Sequence, residues 1–306
     1  MAISSTQTRL LWALLWALLL VRFPSALPVA TPSIDASVKS AQAIFALVKN
    51  ELKDDDHELP LGTICYAQTI DGSIAPIERT RMDISSRISF QLLHSLRSEH
   101  DVVLVGINTV VCDQPRLNVR DPLPCAEVKD DNESVVRKSP RPAVLDSDLK
   151  LLDIQNENIK FINPIICTCI NELDTRYIRM QQKLAALGGG TIITCNRSAD
   201  GKCDLNDIFR LFKSELGVRR VLIEGGAGII QSALENRLVQ RVIVTIRPCY
   251  LGGYRSLTRQ LLGGPLSLVD IALASVDGDI VVFGKVGDPN NIISARNPVK
   301  LITEIV

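Results

Sequence analysis

Aromatic residues make up only 4% of the 306 residues, too few for the stacking platforms that grip single-stranded nucleic acid. Charge of one sign is also lacking: Lys+Arg 34 balance Asp+Glu 34, so no long-range field gathers nucleic acid or anionic lipid. Any bound anion must therefore be held by a local site. Histidine is scarce, with three in the chain (His57, His94, His100), and none stands in the H-x-E context of a zinc deaminase or the spacing of a zinc knuckle. The eight cysteines contain no C-x-x-C and read as scattered buried thiols, so the spacing predicts no metal site. G-x-S-x-G, G-x-G-x-x-G and the Walker-type loop are absent as well, which removes the serine-hydrolase reading and two phosphate-loop readings. What is abundant is apolar residue, 46% of the chain, enough to bury a substantial core. A small-molecule enzyme is the class that remains.

The one long apolar run, residues 10–21, is shorter than the about 20 residues a membrane span needs and has Arg9 and Arg22 at its borders. No acidic residue precedes Asp35, and hydroxyl residues are frequent, as in transit peptides. Residues 1–35 are therefore expected to be a targeting leader. Phe23-Pro-Ser-Ala-Leu-Pro28 resembles the junction of bipartite leaders that enter plastids bounded by extra membranes, so an organelle, with the plastid favoured, is the expected location. Cytoplasmic residence and a retained membrane anchor are the alternatives.

Residues 36–59 hold an amphipathic helix, with Val38, Ala41, Phe45, Val48 and Leu52 at helical spacing, and a charged linker, Lys53 to Glu58. From residue 60 to 286 strands and helices alternate. Strands are predicted at 63–67, 102–106, 142–145, 164–168, 191–195, 220–223 and 241–246, and helices from Ser85 or Ser86 to His100, at 174–187, 204–216 and 227–236. A turn-rich stretch is expected through Pro115, a long surface loop over 121–140, and a closing hairpin at Asp277-Gly-Asp279. This order implies an α/β domain: a mostly parallel sheet with helices on both faces and a C-terminal antiparallel hairpin. Residues 287–306 form a short tail.

Two segments look chemical. In Val221-Leu-Ile-Glu-Gly-Gly-Ala-Gly-Ile-Ile230 an apolar strand stops at Glu224 and passes through glycines into a helix; such a turn suits a phosphate cradle, and equally a plain strand-to-helix connection. In Val105-Gly106 to Arg120 a buried strand leads into Thr109, Asp113, Arg116 and Arg120. Strand carboxyl ends are where open α/β sheets bind ligands, and Arg offers phosphate a planar fork. Tyr66-Ala67 to Asp71-Gly72 reads as a hairpin or bulge, and Asp146-Ser147 as a strand end with cap formers.

Taken in order, Tyr66-Ala67, Asp71-Gly72, Leu96-Arg97, Asp101, Val105-Gly106, Thr109-Val110, Asp113, Pro115, Leu117, Arg120, Asp146-Ser147, Glu224-Gly225-Gly226, Pro248 and Gly252-Gly253 resemble the reductase family of riboflavin biosynthesis, over residues 60–286. The resemblance implies a dihydrofolate-reductase-like fold and a homodimer. It also implies NADPH-dependent reduction of the ribosyl group of a ribosylaminopyrimidine 5′-phosphate to ribityl, by hydride transfer to C1′. Carried over position by position, it implies cofactor contacts at Ala67, Thr109, Asp113, Ser147, Gly225, Gly226, Ala227, Gly228 and Ile229. Substrate contacts fall to Arg97, Leu117, Arg120 and Glu224, with the arginines nearest the phosphate. Arg81-Met-Asp83 and Gln114 depart from the family pattern. The deaminase half of the bifunctional bacterial relatives has no counterpart, so the chain is expected to reduce and not to deaminate. An NADPH reductase of a pterin-like heterocycle, or a non-catalytic nucleotide-binding protein, are the competing readings. Whether the pyrimidine still carries its 2-amino group is left open.

Overall fold

The computed structural model describes residues 33–52, 57–124, 138–287 and 299–302. The expected leader up to residue 32, residues 53–56 of the linker and 125–137 of the 121–140 loop lie outside them. Helix α1 (Ile34–Glu51) is followed by β1 (Leu61–Thr69), β2 (Ser73–Ala75), α2 (Arg87–Ser98), β3 (Val102–Gly106), α3 (Ile107–Asp113) and β4 (Arg141–Leu145). Two short 3-10 turns come next, then β5 (Ile165–Thr168), α4 (Thr175–Ala186), β6 (Thr191–Thr194), α5 (Leu205–Leu216), β7 (Arg220–Glu224) and α6 (Ala227–Glu235). The chain continues through β8 (Arg241–Arg247), β9 (Tyr254–Arg255), β10 (Leu268–Val276), β11 (Asp279–Val286) and β12 (Lys300–Ile302).

Ten strands form one sheet in the order β12-β10-β11-β8-β1-β7-β3-β4-β5-β6, and β2 pairs with β9 separately. From β8 to β6 every neighbouring pair is parallel, while β11 runs antiparallel to both β8 and β10. The alternation of side chains along the strands sorts the core into two layers. Val103, Val105, Val144 and Leu222 meet α1, α2 and α4, whereas Val102, Leu104, Ala143 and Val221 meet α5 and α6. Strands with apolar residues on both faces are what a helix-covered parallel sheet requires.

Helix starts follow capping chemistry. The Ser86 hydroxyl accepts from the Ser89 N–H, and the Asp204 carboxylate accepts from the N–H groups of Asn206 and Asp207. The turn-rich reading through Pro115 is corrected: residues 107–113 are helical, with Gly106 as the extended N-cap and Gln114 in the left-handed region at the end (φ 45°). Thr109-Val110-Val111 is a β-branched run that disguises a helix, and burial of Val110 holds it there.

The segments flanking residues 60–286 join the same body. Ala41, Ile44, Val48 and Leu52 of the first helix belong to the core that covers β3, β4 and β7, and β12 pairs in parallel with β10.

Candidate functional site

Because β7 lies between β1 and β3, the carboxyl ends of these three strands stand side by side, at the edge where open α/β sheets bind ligands. A cavity of about 700 Å³ opens there. Its lining comes from the Gly225-Gly228 turn, from the stretch Asp113 to Arg120, and from residues 79–85 with Tyr254. Six basic side chains line it (Arg79, Arg81, Arg97, Arg116, Arg120, Lys160) against three acidic ones, Asp83, Asp113 and Glu224. The cavity is thus locally cationic in a chain of zero net charge.

Its floor is an ion pair. Arg97, on the third turn of α2, donates from Nε to Glu224 Oε1 (2.7 Å) and from Nη2 to Glu224 Oε2 (2.6 Å), while Nη1 donates to the Asn118 carbonyl (2.9 Å). The two side chains are only 5% and 11% exposed. Burial works against the guanidinium charge, but the Glu224 carboxylate outweighs it, so Arg97 holds its proton more tightly than usual. Burial, reinforced by Glu224, pushes the neighbouring Cys65 thiol far up, which keeps it neutral.

Arg120 has the opposite surroundings. It is exposed, its Nη1 donates to Asn118 Oδ1 (2.8 Å), and its guanidinium lies 5.9 Å from the centre of the Phe90 ring. Burial of part of the side chain, then the like charges of Arg97, Arg116 and Arg81, lower its proton affinity. Crowded cations of this kind are relieved by an anion. The backbone there is fixed by His94, whose Nδ1 accepts from the N–H groups of Arg120 (2.7 Å) and Asp121 (3.3 Å). Left-handed backbone at Gln114 and at the buried Leu117 (φ 53°) bends this segment around the cavity.

At the glycine turn Gly225 (φ 63°) and Gly226 (φ 82°) take conformations that favour glycine. A side chain on Gly225 would point into open space, and one on Gly226 would crowd the Thr109 hydroxyl at 3.2 Å. Thr109 therefore stands against the start of α6, whose first N–H groups have no partner within the helix. Asp113 borders the same space, and burial raises its carboxyl above the ordinary range.

The cavity brings together Ala67, Arg97, Thr109, Asp113, Leu117, Arg120, Glu224, Gly225, Gly226, Ala227 and Gly228 from the sequence reading. Two expected cofactor residues are not on it. Ile229 turns into the core, and its N–H donates to the Gly226 carbonyl (3.1 Å). The Ser147 hydroxyl accepts from the Cys203 N–H (2.9 Å). Arg79, Tyr254, Asn108 and Lys160 line the cavity although the sequence reading did not single them out; Tyr254 follows directly on Gly252-Gly253, the one signal that pointed there. Arg81 and Asp83, from the segment that departs from the family pattern, line the cavity as well, 3.6 Å apart.

The Asp71-Gly72 turn acquires a structural task. The Asp71 carboxylate accepts from the hydroxyl of Ser73 (2.7 Å) and the N–H groups of Leu251 (3.1 Å) and Gly252 (2.8 Å), which pins the glycine pair of the 249–253 loop beside Tyr254. These bonds and one from the Thr69 hydroxyl hold the carboxyl far below the usual carboxylate range. The scattered-thiol reading is corrected in one place: Cys169, Cys195 and Cys203 converge, all three Sγ atoms lying within 4.8 Å of one another.

Residues 60–282 match the RibD C-terminal domain family. The 2,5-diamino-6-ribosylamino-4(3H)-pyrimidinone 5′-phosphate reductase of Debaryomyces hansenii is 33% identical over 202 residues, 63% of this chain and 76% of the relative. The protein of that name from Archaeoglobus fulgidus is 27% identical over 204 residues, 65% of this chain and 85% of the relative. A solved riboflavin biosynthesis reductase of Saccharomyces cerevisiae shares the fold, with a TM-score of 0.59 at 22% identity, covering 80% of this chain and 98% of that one. The chain belongs to the RibD C-terminal domain family and is an oxidoreductase of the riboflavin-biosynthesis reductase type.

Proposed function

We propose that the cavity holds NADPH along the Thr109 and Gly225-Gly228 wall, and the 5′-phosphate of a ribosylaminopyrimidine at the Arg116–Arg120 wall, for reduction of the ribosyl group to ribityl. The observation that carries this reading is the division of one cavity into a glycine turn at a helix start and a cationic wall, joined by the Arg97–Glu224 floor. The cofactor fits the chain's chemistry. Gly225 leaves open space where a side chain would stand, and the N–H groups of Ala227 and Gly228 begin a nine-residue helix. NADPH bound there supplies a hydride.

The chain's own residues position and exclude. Arg120, with Arg116 beside it, offers the phosphate a charge-assisted fork. Arg97 is engaged by Glu224 and Asn118, so its part is to fix the Glu224 carboxylate at the end of β7, next to the glycine turn. Cys65 and Leu117 close the floor against water. A rigid floor between two anchored anions holds donor and acceptor at reacting distance, which is where most of the rate arises.

The diamino form of the substrate is supported by the relatives, whose name specifies the 2,5-diamino compound. The test is NADPH oxidation by the full-length chain offered the diaminopyrimidinone and the uracil ribosylamine phosphates separately. Turnover is expected with the former. Arg120→Ala should raise KM for it by about 10- to 100-fold, the worth of a charge-assisted hydrogen bond, with less effect on the dephosphorylated compound. NADPH binding without oxidation of either phosphate would refute the proposal.

A further inference from the structure

Outside the cavity lining, the carboxyl ends of β5 and β6 carry a second constellation. Cys169 follows β5 and Cys195 follows β6; the strands are parallel neighbours in register at Thr168 and Thr194, and the Cys195 N–H donates to the Thr168 carbonyl (2.8 Å). A tight loop then returns the chain: the Gly201 N–H donates to the Ser198 carbonyl (2.9 Å), and Arg197 bridges to Cys203 just before α5. This places Cys203 Sγ 3.7 Å and Cys195 Sγ 4.0 Å from Cys169 Sγ. Three thiols from three separate stretches of sequence thus share one point.

The spacing is informative. A zinc–sulfur bond of about 2.3 Å makes neighbouring sulfurs in a tetrahedral or trigonal site lie about 3.8–4.0 Å apart. The two separations from Cys169 match that value, and the third pair of sulfurs lies within 4.8 Å. Cys195 and Cys203 are buried and Cys169 is half-buried, so the cluster is supported from below and reachable from one side. Its scaffold is tied down: the Ser147 hydroxyl accepts from the Cys203 N–H and the Ser147 carbonyl accepts from the Cys169 N–H (3.1 Å). Arg197, held by Asp148 at 2.7 Å, acts electrostatically on Cys169 and Cys203 and offsets negative charge there. Among the described residues no carboxylate or imidazole belongs to the cluster, a donor set that selects soft cations.

We propose that Cys169, Cys195 and Cys203 form a three-thiolate site for a thiophilic d10 cation, zinc(II) with solvent in the fourth position or copper(I) in a closed trigonal arrangement. Binding breaks three S–H bonds, releases three protons to solvent and forms three sulfur–metal bonds, with no change of oxidation state. The site is independent of the reductase reading. Its effect is to cross-link β5, β6 and the 196–203 loop, as structural metal sites do.

The test is cobalt(II) titration of the reduced full-length chain under anaerobic conditions, followed by zinc(II), and a parallel copper(I) titration. One equivalent per chain is expected for cobalt or copper, with a sulfur-to-cobalt charge-transfer band that zinc abolishes, and a higher Tm for the loaded protein. Cys169→Ser, at the half-buried position, and Cys203→Ala should each lose the high-affinity equivalent, while Cys249→Ser, exposed elsewhere, should keep it. Circular dichroism of each variant separates loss of the site from loss of the fold. Failure of all three ions to bind, binding unchanged in a folded Cys169→Ser variant, or a Cys169–Cys203 disulfide as the resting state would overturn the proposal.

Discussion

Arg97 shows how one side chain can serve stability and chemistry together. A buried ion pair contributes little net stability when complete, but removal of one partner leaves an uncompensated charge and costs about 3–5 kcal/mol. Arg97→Met should therefore destabilise the chain by about that amount, and Arg97→Met with Glu224→Met should recover most of it; urea denaturation of the four-member cycle reads the coupling. Histidine sets the acid limit. Burial lowers His100 from 6.5 to about 4, and burial with the charges of Arg97 and Arg120 lowers His94 equally. Each is neutral in the fold, so between pH 6.5 and about 4 the unfolded chain binds the more protons, and stability falls as pH falls through that window. The Tm should accordingly be flat with respect to these groups above pH 7 and drop below 6.5, less steeply in His100→Gln. His94 adds a local effect: its Nδ1 must stay unprotonated to accept from Arg120 and Asp121. The sequence named Arg97, Glu224 and Arg120 without revealing that the first two engage each other, because a pairing across 127 residues leaves no local trace.

At the scale of elements, strands and long helices were legible because hydrophobic period and capping residues agree over each stretch. Ser86 marks a helix start in the sequence and in the fold alike, and the fold adds Asp204 and Gly217 as caps of α5. Helix α3 was not legible, since its β-branched residues favour extended backbone and only burial of Val110 favours the helix. The three-residue strands β2 and β12 are too short to show a period. Strand β1 depends on Gly62, whose added Cβ would overlap the Leu238 carbonyl oxygen. Its N–H donates to Gln240 Oε1 (2.7 Å) and its carbonyl accepts from the Gln240 N–H (3.0 Å). Gly62→Ala must push β1 from the 238–240 segment, a backbone clash that no rotamer relieves. A loss of about 1–3 kcal/mol is expected, read as a lower urea midpoint.

For the whole molecule, the sequence order of alternating elements implied the layered sheet, but not that the first helix completes one of its layers. Amphipathic spacing shows that a helix has a face to bury and is silent about where. Here the face covers the same core as α2 and α4, and the Ser37 hydroxyl accepts from the Asp277 N–H of the closing hairpin (3.0 Å). Deletion through residue 52 should uncover that core and lower Tm, a loss that differential scanning calorimetry reads. The convergence of three thiols is the other feature no linear pattern announced, since it arises from strand adjacency and one returning loop.

The cap of that first helix carries a consequence for truncation. The Ser33 hydroxyl accepts from the Ala36 N–H, and the Ser33 carbonyl accepts from the Ser37 N–H, so residue 33 is tied into the first turn of the helix. A protease cutting the folded chain beyond that residue must first melt a helix wedged into the interior. The stability of the domain thereby limits how far the chain can be shortened from that side, with no recognition motif needed to mark the place.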